Sequence, residues 1–444
     1  MGSSDVLILG GGFAGLACAT ALAEKGASAT VLEKKPHLGG RAFSFKDPQT
    51  GETVDNGQHL FMGCYRQTRA FLRRIGSESL LDLPSNVRVD YAEPGGKRAA
   101  LDCPGWLPAP LHLAWGVLRL GGLTASDKLG LGRFDRWMRA HALNGGLPSG
   151  MDAMTVREWM DSLGQSRRIQ ERLFDPIALG ALNELPETAS ALGFVQVLRE
   201  IFYRDQESSR LGLSTVGLSE LYAEQSRAFV ESRGGKVLLN QRVAAIRQAD
   251  GGWEVAMALG ETMRARAVVS TLPPWALSAV ERPAGLRGSW ESIRPTPILG
   301  VHLWLDREVV REPVVGLLGT EIHWVFNKNA IWRREGEGQY LSLVISGAHR
   351  RAAASPKELL ELAKADMARC FPGFEKARIT SWSVIKEPFA TPSPVRGSDA
   401  MRPPHVSGLR GFYYAGDWTQ TGLPATIESA VASGHACAGL ILNA

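Results

Sequence analysis

Cysteine is scarce, with five in 444 residues. Cys18, Cys64, Cys103, Cys370 and Cys437 are scattered, odd in number and never spaced as Cys-x-x-Cys. That excludes a disulfide framework and a cysteine-based zinc site, and no metal centre is expected. Charge of one sign is not concentrated either, the net charge being +5. The groups Arg73-Arg74, Arg133/Arg136/Arg139 and Arg167-Arg168 could face anionic lipid or nucleic acid but read more simply as solvated helix faces; no nucleic-acid motif lies beside them, so no nucleic-acid partner is expected. No uninterrupted apolar run reaches the roughly 20 residues that span a bilayer. The first strand starts almost at once, leaving no room for a signal peptide. Together with the cysteine pattern this predicts a cytoplasmic protein. Internal repeats and low-complexity segments are lacking as well.

What is there begins with Asp5-Val6-Leu7-Ile8-Leu9, a short buried strand that runs into Gly10-Gly11-Gly12-Phe13-Ala14-Gly15. A helical pattern follows (Leu16, Ala19, Leu22, Ala23), then a strand over 28–32 that ends at Glu33. Strand, glycine turn, helix, strand and acid is the order a dinucleotide requires. Gly10 permits the tight turn, Gly12 lets backbone approach a pyrophosphate, and Gly15 lets helix and strand pack. The helix N-terminus, with Phe13 and Ala14 in its first turn, supplies unpaired N–H groups and partial positive charge. Glu33 can accept from both ribose hydroxyls and would repel a 2′-phosphate. The chain therefore reads as a binder of an adenine dinucleotide. A second such unit is missing, because Gly130-Leu131-Gly132 has no strand before it. No dedicated NADPH site is expected, and the electron donor is external.

Lys34 and Gly39-Gly40-Arg41 follow, a turn that can lie against the cofactor with Arg41 reaching the pyrophosphate. Asp55-Asn56-Gly57-Gln58-His59 suits either close approach to a flat ring system or a plain turn. A helix is expected from about residue 65 to 75. Residues 103–123 are the most apolar stretch, interrupted by three prolines, His112 and Arg119. They fit a segment docked on a bilayer surface, the mouth of an apolar tunnel, or a core helix. A mostly helical region is expected over 126–203 and a helix over 217–234. Strands at 236–239 and 242–246 follow, then a hairpin (253–257 and 263–266) turned by Gly260, and a buried strand at 267–271. There the backbone of Val243 can clamp an adenine. From 297 to 387 long alternating strands (298–305, 322–326, 340–345, 379–385), with a helix over 356–370, predict an antiparallel sheet. Trp324 and Phe326 are expected on one face, His302 and Trp304 on another.

Gly411-Phe412-Tyr413-Tyr414-Ala415-Gly416-Asp417 reads as strand, glycine, acid. Gly422-Leu423-Pro424-Ala425-Thr426 then opens a helix, with Pro424 in its first turn. A reduced flavin carries negative charge near N1 and the C2 carbonyl, which a helix N-terminus would stabilise. Asp417 can hold ribityl hydroxyls. A nicotinamide enzyme needs neither feature, so the expected cofactor is FAD.

Taken together, the fingerprint with Glu33, Gly39-Gly40-Arg41, Arg242-Val243 and Ala415-Gly416-Asp417 resemble the FAD-dependent amine oxidase and carotenoid desaturase superfamily over the whole chain. The resemblance implies an α/β fold: a discontinuous Rossmann-like FAD-binding domain with an inserted substrate domain of antiparallel sheet plus helices. The expected FAD-binding parts are 1–75, 215–275 and 405–444, with a mainly helical cap at 76–214 and the substrate sheet at 276–404. A narrower resemblance, to the hydroxysqualene dehydroxylase family, is carried by Asp55-Asn56-Gly57-Gln58-His59-Leu60 and His323-Trp324-Val325-Phe326. Ala181-Leu182-Asn183-Glu184-Leu185-Pro186-Glu187-Thr188-Ala189-Ser190 and Gly422-Leu423-Pro424-Ala425-Thr426-Ile427-Glu428 carry it too. The chain departs from that family at Thr188, where a second acid is usual, and at Leu185, where proline is. The resemblance implies reduction of an allylic alcohol to squalene at the expense of reduced FAD, in squalene and hopanoid biosynthesis. Amine oxidation or phytoene-type desaturation is the alternative. It further implies an apolar isoprenoid substrate, an external electron donor, and peripheral contact with the membrane or neighbouring squalene-pathway enzymes. The general acid such a reaction needs is nominated as His59, Glu187 or Glu387. Glu187 could equally cap a helix, and His59 could meet the cofactor through its backbone.

Overall fold

The computed structural model describes residues 4–444. One sheet grows from β1 (Ser4–Leu9), which pairs in parallel with β2 (Ala29–Leu32) and with the strand Thr262–Ser270. Lys236–Leu238 joins β2 in parallel, and Phe412–Tyr414 joins Thr262–Ser270 in parallel. The antiparallel strands Gly252–Met257 and Val243–Ala249 extend the edge. Parallel strands are covered on both faces, which is why Val6-Leu7-Ile8-Leu9 in β1 is an unbroken apolar run and why all of β2, Thr30 included, is buried.

The helix α1 (Phe13–Glu24) covers one face and packs on the C-terminal helix Ile427–Leu442. The two approach closely because residue 434 is glycine: a Cβ there would lie 2.2 Å from the Ala14 carbonyl oxygen. Phe13 stacks on Tyr222 with 3.6 Å between ring centroids, and the Tyr222 hydroxyl reaches the carbonyls of Gly39 and Ala42. The N-terminal glycine turn is thus braced from the middle of the chain.

The second sheet has seven strands, in the order Ile379–Pro392, Pro295–Leu305, Gln339–Ile345, Trp324–Asn327, Val314–Leu317, Val87–Glu93, Lys97–Cys103. It differs from the expected sheet in two ways. Val87–Glu93 and Lys97–Cys103 come from the stretch read as mainly helical, and Val314–Leu317 pairs with Val87–Glu93 in parallel rather than antiparallel. The helix Pro356–Cys370 has the bounds its sequence predicts, opened by the Ser355/Glu358 capping box. Leu359, Ala363 and Met367 pack it on the Leu299/Val301/Leu303 side of the sheet.

Trp324, Phe326, His302 and Trp304 all project from the other side, correcting the expectation of two faces. Phe326 and His302 both lie opposite Ser342, Trp304 lies opposite Tyr340, and residues paired across strands point the same way. Two helix starts also move. The expected helix over 217–234 opens as a wide turn at Ser219–Ala223 before Glu224–Glu231. The C-terminal helix begins at Ile427, leaving Pro424 outside it, because the Thr426 side chain caps the helix by accepting from the Ser429 N–H.

The arginine groups are largely neutralised: Arg73 pairs with Glu78, Arg139 with Asp135 and Arg168 with Asp127. All five cysteines are buried and free. Among the described residues no helix is long and apolar enough to cross a membrane, and no group of side chains could hold a metal ion. The close helix crossing yields a test. Gly434→Ala should cost about 1–3 kcal/mol by overpacking, read as a lower denaturant midpoint with an unchanged slope.

Candidate active site

Gly12 is the N-cap of α1, and no side chain caps the helix there although Phe13 and Ala14 are each only 6% exposed. A buried helix end with unmet N–H groups fits a phosphate. Gly40 packs on it, since a Cβ on Gly40 would lie 3.1 Å from the Gly12 Cα. Gly15 must be glycine because its Cβ would strike the Gly10 carbonyl oxygen at 2.0 Å. The Glu33 carboxylate accepts from the Gly11 N–H at 2.8 Å and the Lys35 N–H at 2.9 Å. A carboxylate has about four acceptor positions, so room for ribose hydroxyls remains. The Gln241 N–H donates to the Glu33 carbonyl, bringing the start of Val243–Ala249 beside the same acid. Lys34, expected at the cofactor, is exposed; Lys35 instead folds back and its Nζ donates to the Gly40 carbonyl.

Arg41 does not stand free for a pyrophosphate. Its guanidinium bonds Asp417 Oδ1 at 2.6 Å and the Ala390 carbonyl at 3.0 Å. That bond brings the C-terminal acid to the N-terminal turn. Asp417 is buried, and its Oδ2 has no hydrogen-bond partner among the described residues, which fits the expected ribityl contact. Gly416 takes φ +130°, where a Cβ would strike the Trp418 indole nitrogen at 2.6 Å. The loop after it is held by Arg402, which sequence reasoning missed. Arg402 donates to the carbonyls of Leu423 (2.6 Å) and Asp417 (3.0 Å), and its Nε is buried without a partner. Burial pushes its guanidinium below the ordinary arginine range. Arg402, Asp417, Trp418, Pro424 and Ala425 line one small cavity.

The other side of that loop faces a cavity of about 440 Å³. Its walls are mainly apolar, among them Leu60, Tyr91, Leu113, Ile177, Phe202 and Trp324, and Leu423, Thr426, Tyr65 and Glu428 close it at the loop. Glu428 accepts from the N–H groups of Gln67 and Thr68 and from the Thr68 hydroxyl, yet burial raises its pKa above the ordinary glutamate value. Burial also raises the Tyr65 phenol. Neither residue was nominated as a protic group from sequence, although Glu428 stands in the quoted 422–428 motif.

Of the three nominated acids, none lines this cavity. Glu187 turns away to Arg157, at 2.8 Å, with its side chain half exposed. Glu387 sits on the outer strand of the second sheet, opposite Ile298. Burial pushes His59 down to about 4, with Arg41 and Lys328 adding to the effect, so its ring is neutral at pH 7 and a poor acid. Beside it lies a buried ion pair that the sequence did not announce. Lys328 Nζ donates to Asp55 Oδ2 at 2.9 Å and to Gln58 Oε1 at 3.0 Å, and lies 3.9 Å from the Trp332 ring centroid. Burial lowers the Lys328 pKa while Asp55 opposes that. Gln58 Nε2 remains buried and unpartnered.

Two outcomes follow. Lys328→Met leaves Asp55 buried and unpaired and should cost about 3–5 kcal/mol, with loss of bound flavin on the same denaturation curve. The second concerns pH. Burial pushes His302 and His323 down to about 4, and His323 Nδ1 accepts from the Ser346 N–H, which requires that nitrogen unprotonated. The unfolded chain takes up those protons near pH 6.5, so stability is full above that value and falls as pH drops toward 4. Each histidine contributes up to about 3 kcal/mol to this loss. Urea midpoints at pH 7.5 and 5 read the slope, and His302→Gln should flatten it.

The model of flavin-containing amine oxidoreductases matches residues 13–442. Hydroxysqualene dehydroxylase of Rhodopseudomonas palustris is 30% identical over 100% of this chain and 99% of that protein. A chloroplastic/chromoplastic 15-cis-phytoene desaturase of Glycine max is 26% identical over 99% of this chain and 79% of its own length. Cyclohexylamine oxidase from Brevibacterium oxydans superposes with a TM-score of 0.74, covering 99% of each chain at 18% identity, which speaks to the fold alone. The resemblance read from the motifs is borne out. The chain belongs to the family of flavin-containing amine oxidoreductases and is an FAD-dependent oxidoreductase.

Proposed function

We propose that the protein reduces hydroxysqualene to squalene. The observation that carries this reading is the large apolar cavity that ends on the 422–426 loop at the tip of the C-terminal helix. The full-length similarity to a hydroxysqualene dehydroxylase supports it. FAD would lie along Gly10, Gly12, Phe13, Ala14 and Gly15 at its pyrophosphate, with Glu33 and Val243 at the adenosine end. Gly40, Arg41, Gln58, Gly416, Asp417, Ala425 and Thr426 would hold the rest. When bound in reduced form, FAD supplies a hydride.

The protein's own residues must then ionise an alcohol. The hydroxyl is allylic, so a proton on its oxygen lets water leave and a resonance-stabilised cation form, which the hydride converts to a C–H bond. Glu428, with Glu200 and Tyr65 near it, is among the protic groups on the cavity wall, and we assign proton delivery to the Glu428 end beside the loop, where burial favours a protonated carboxyl. Tyr91, Phe202 and Trp324 are aromatic residues of the cavity lining that would stabilise the cation. The apolar walls keep bulk water from intercepting it.

The test is anaerobic mixing of the reduced holoenzyme with hydroxysqualene, followed by flavin absorbance and product extraction. Squalene should appear in step with flavin reoxidation. Tyr65→Phe and Glu428→Gln should slow that step by about 10²-fold or more at unchanged flavin content. Reduction of the oxidised enzyme by phytoene or an amine, with hydroxysqualene inert, would overturn the reading.

A further inference from the structure

The helix Leu111–Arg119 has two apolar sides, and the fold covers only one. His112, Leu113, Gly116 and Val117 are buried, and Leu113 lines the large cavity. On the other side Leu111, Trp115 and Leu118 are 56%, 42% and 59% exposed. Trp106, just before the helix, is 74% exposed, and Leu129, on the following helix Ala125–Trp137, is 80% exposed. These residues adjoin. The Trp106 and Trp115 rings meet edge-on at 6.5 Å, and Lys128, beside Leu129, donates to the Leu118 carbonyl at 2.6 Å. Single exposed leucines are ordinary, but a contiguous patch marks a contact surface.

The border of the patch says what covers it. Arg119 lies over the Trp115 ring at 5.7 Å, and Lys128 stands at the Leu118 end. No acidic residue occurs between Asp102 and Asp127. Asp127 itself is buried against Thr124 and Ser166, and Asp102 is paired with Arg88. Asp205 and Glu207, near Pro104, are paired with Arg66 and Arg69. Tryptophan and leucine with cations at the edge and no acid within the segment itself match the headgroup region of an anionic bilayer.

We propose that this face docks the protein on an anionic phospholipid membrane, with the helix Leu111–Arg119 lying in the interface as the wall between lipid and cavity. An apolar substrate then passes from the bilayer past this helix without crossing water. The docking stands on the surface alone; only the route into the cavity rests on the isoprenoid reading above.

Flotation of the holoenzyme with phosphatidylcholine vesicles, with and without phosphatidylglycerol, tests it. The protein should float with the anionic vesicles and less with neutral ones. The double variant Trp106→Ser/Leu118→Ser should lose about tenfold or more in partitioning at an unchanged melting temperature. Leu259→Ser, at an exposed hairpin turn, should float like the parent. Equal flotation of double variant and parent would overturn the proposal, as would absence of vesicle binding. So would light scattering in which the double variant dissolves an oligomer while vesicle binding persists, since the face would then join two copies. None of these readouts uses hydroxysqualene, so a failed dehydroxylation assay and a failed docking assay remain distinct results.

Discussion

One guanidinium–carboxylate bond joins residues 376 positions apart, Arg41 in the turn after β2 and Asp417 after the last strand. Everything at the candidate site depends on that closure. Gly40 is already packed on the N-terminus of α1, so Arg41 fixes the C-terminal loop relative to the first helix, and Arg402 then fixes the loop itself through the Leu423 and Asp417 carbonyls. The turn after β2 and the loop before the C-terminal helix are tied together by this route. The Asp417 side chain is only 7% exposed and Arg41 also bonds the Ala390 carbonyl, so the geometry of the bond is held from both sides.

A second buried pair couples the cradle to the second sheet. Lys328 follows the strand Trp324–Asn327, and its three N–H donors find Asp55, Gln58 and the face of Trp332. Asp55 also accepts from the Ser44 hydroxyl and the Leu218 N–H. Removing two charges from water is costly, and such a pair persists where it fixes geometry rather than where it maximises stability. Here it fixes Gln58 and His59 against the aromatic side of the sheet. The same surroundings hold the His59 ring in its neutral form.

Local signals explain what could be read in advance. The glycine turn, Glu33, the Gly260 hairpin and the helix Pro356–Cys370 each rest on residues close together in sequence, and each is where its pattern predicts. Part of what failed was local: Val87–Glu93 alternates apolar and polar residues and forms a hairpin with Lys97–Cys103 across Pro94-Gly95-Gly96, a signal that the mainly helical reading of this stretch overlooked. The rest needed partners far away, since the place of that hairpin in the second sheet is set by Val314–Leu317, more than 200 residues later. The faces of His302 and Trp304 were misassigned for the same reason, since they depend on the register with Gln339–Ile345. Lys328 and Arg402 have no local motif, and only the folded chain makes them buried cations.

The Asn183-Glu184 motif carried much of the narrower resemblance, and its physics is that of a clamp. Asn183, at φ +52°, donates to Thr391 Oγ1 and accepts from the Gly347 N–H. The Glu184 carboxylate, 2% exposed, takes hydrogen bonds from the hydroxyls of Thr188, Thr296 and Ser393 and faces His349 Nε2 at 3.0 Å. These partners come from the helical cap, the strand Pro295–Leu305, the end of the neighbouring strand Ile379–Pro392 and the loop before Pro356–Cys370. Thr188, the position where the resembling family carries an acid, acts here as a donor into that carboxylate. A carboxylate in its place would face Glu184 as a like charge or take a proton. The substitution therefore trades an acidic pair for a neutral donor, which suits a joint between layers.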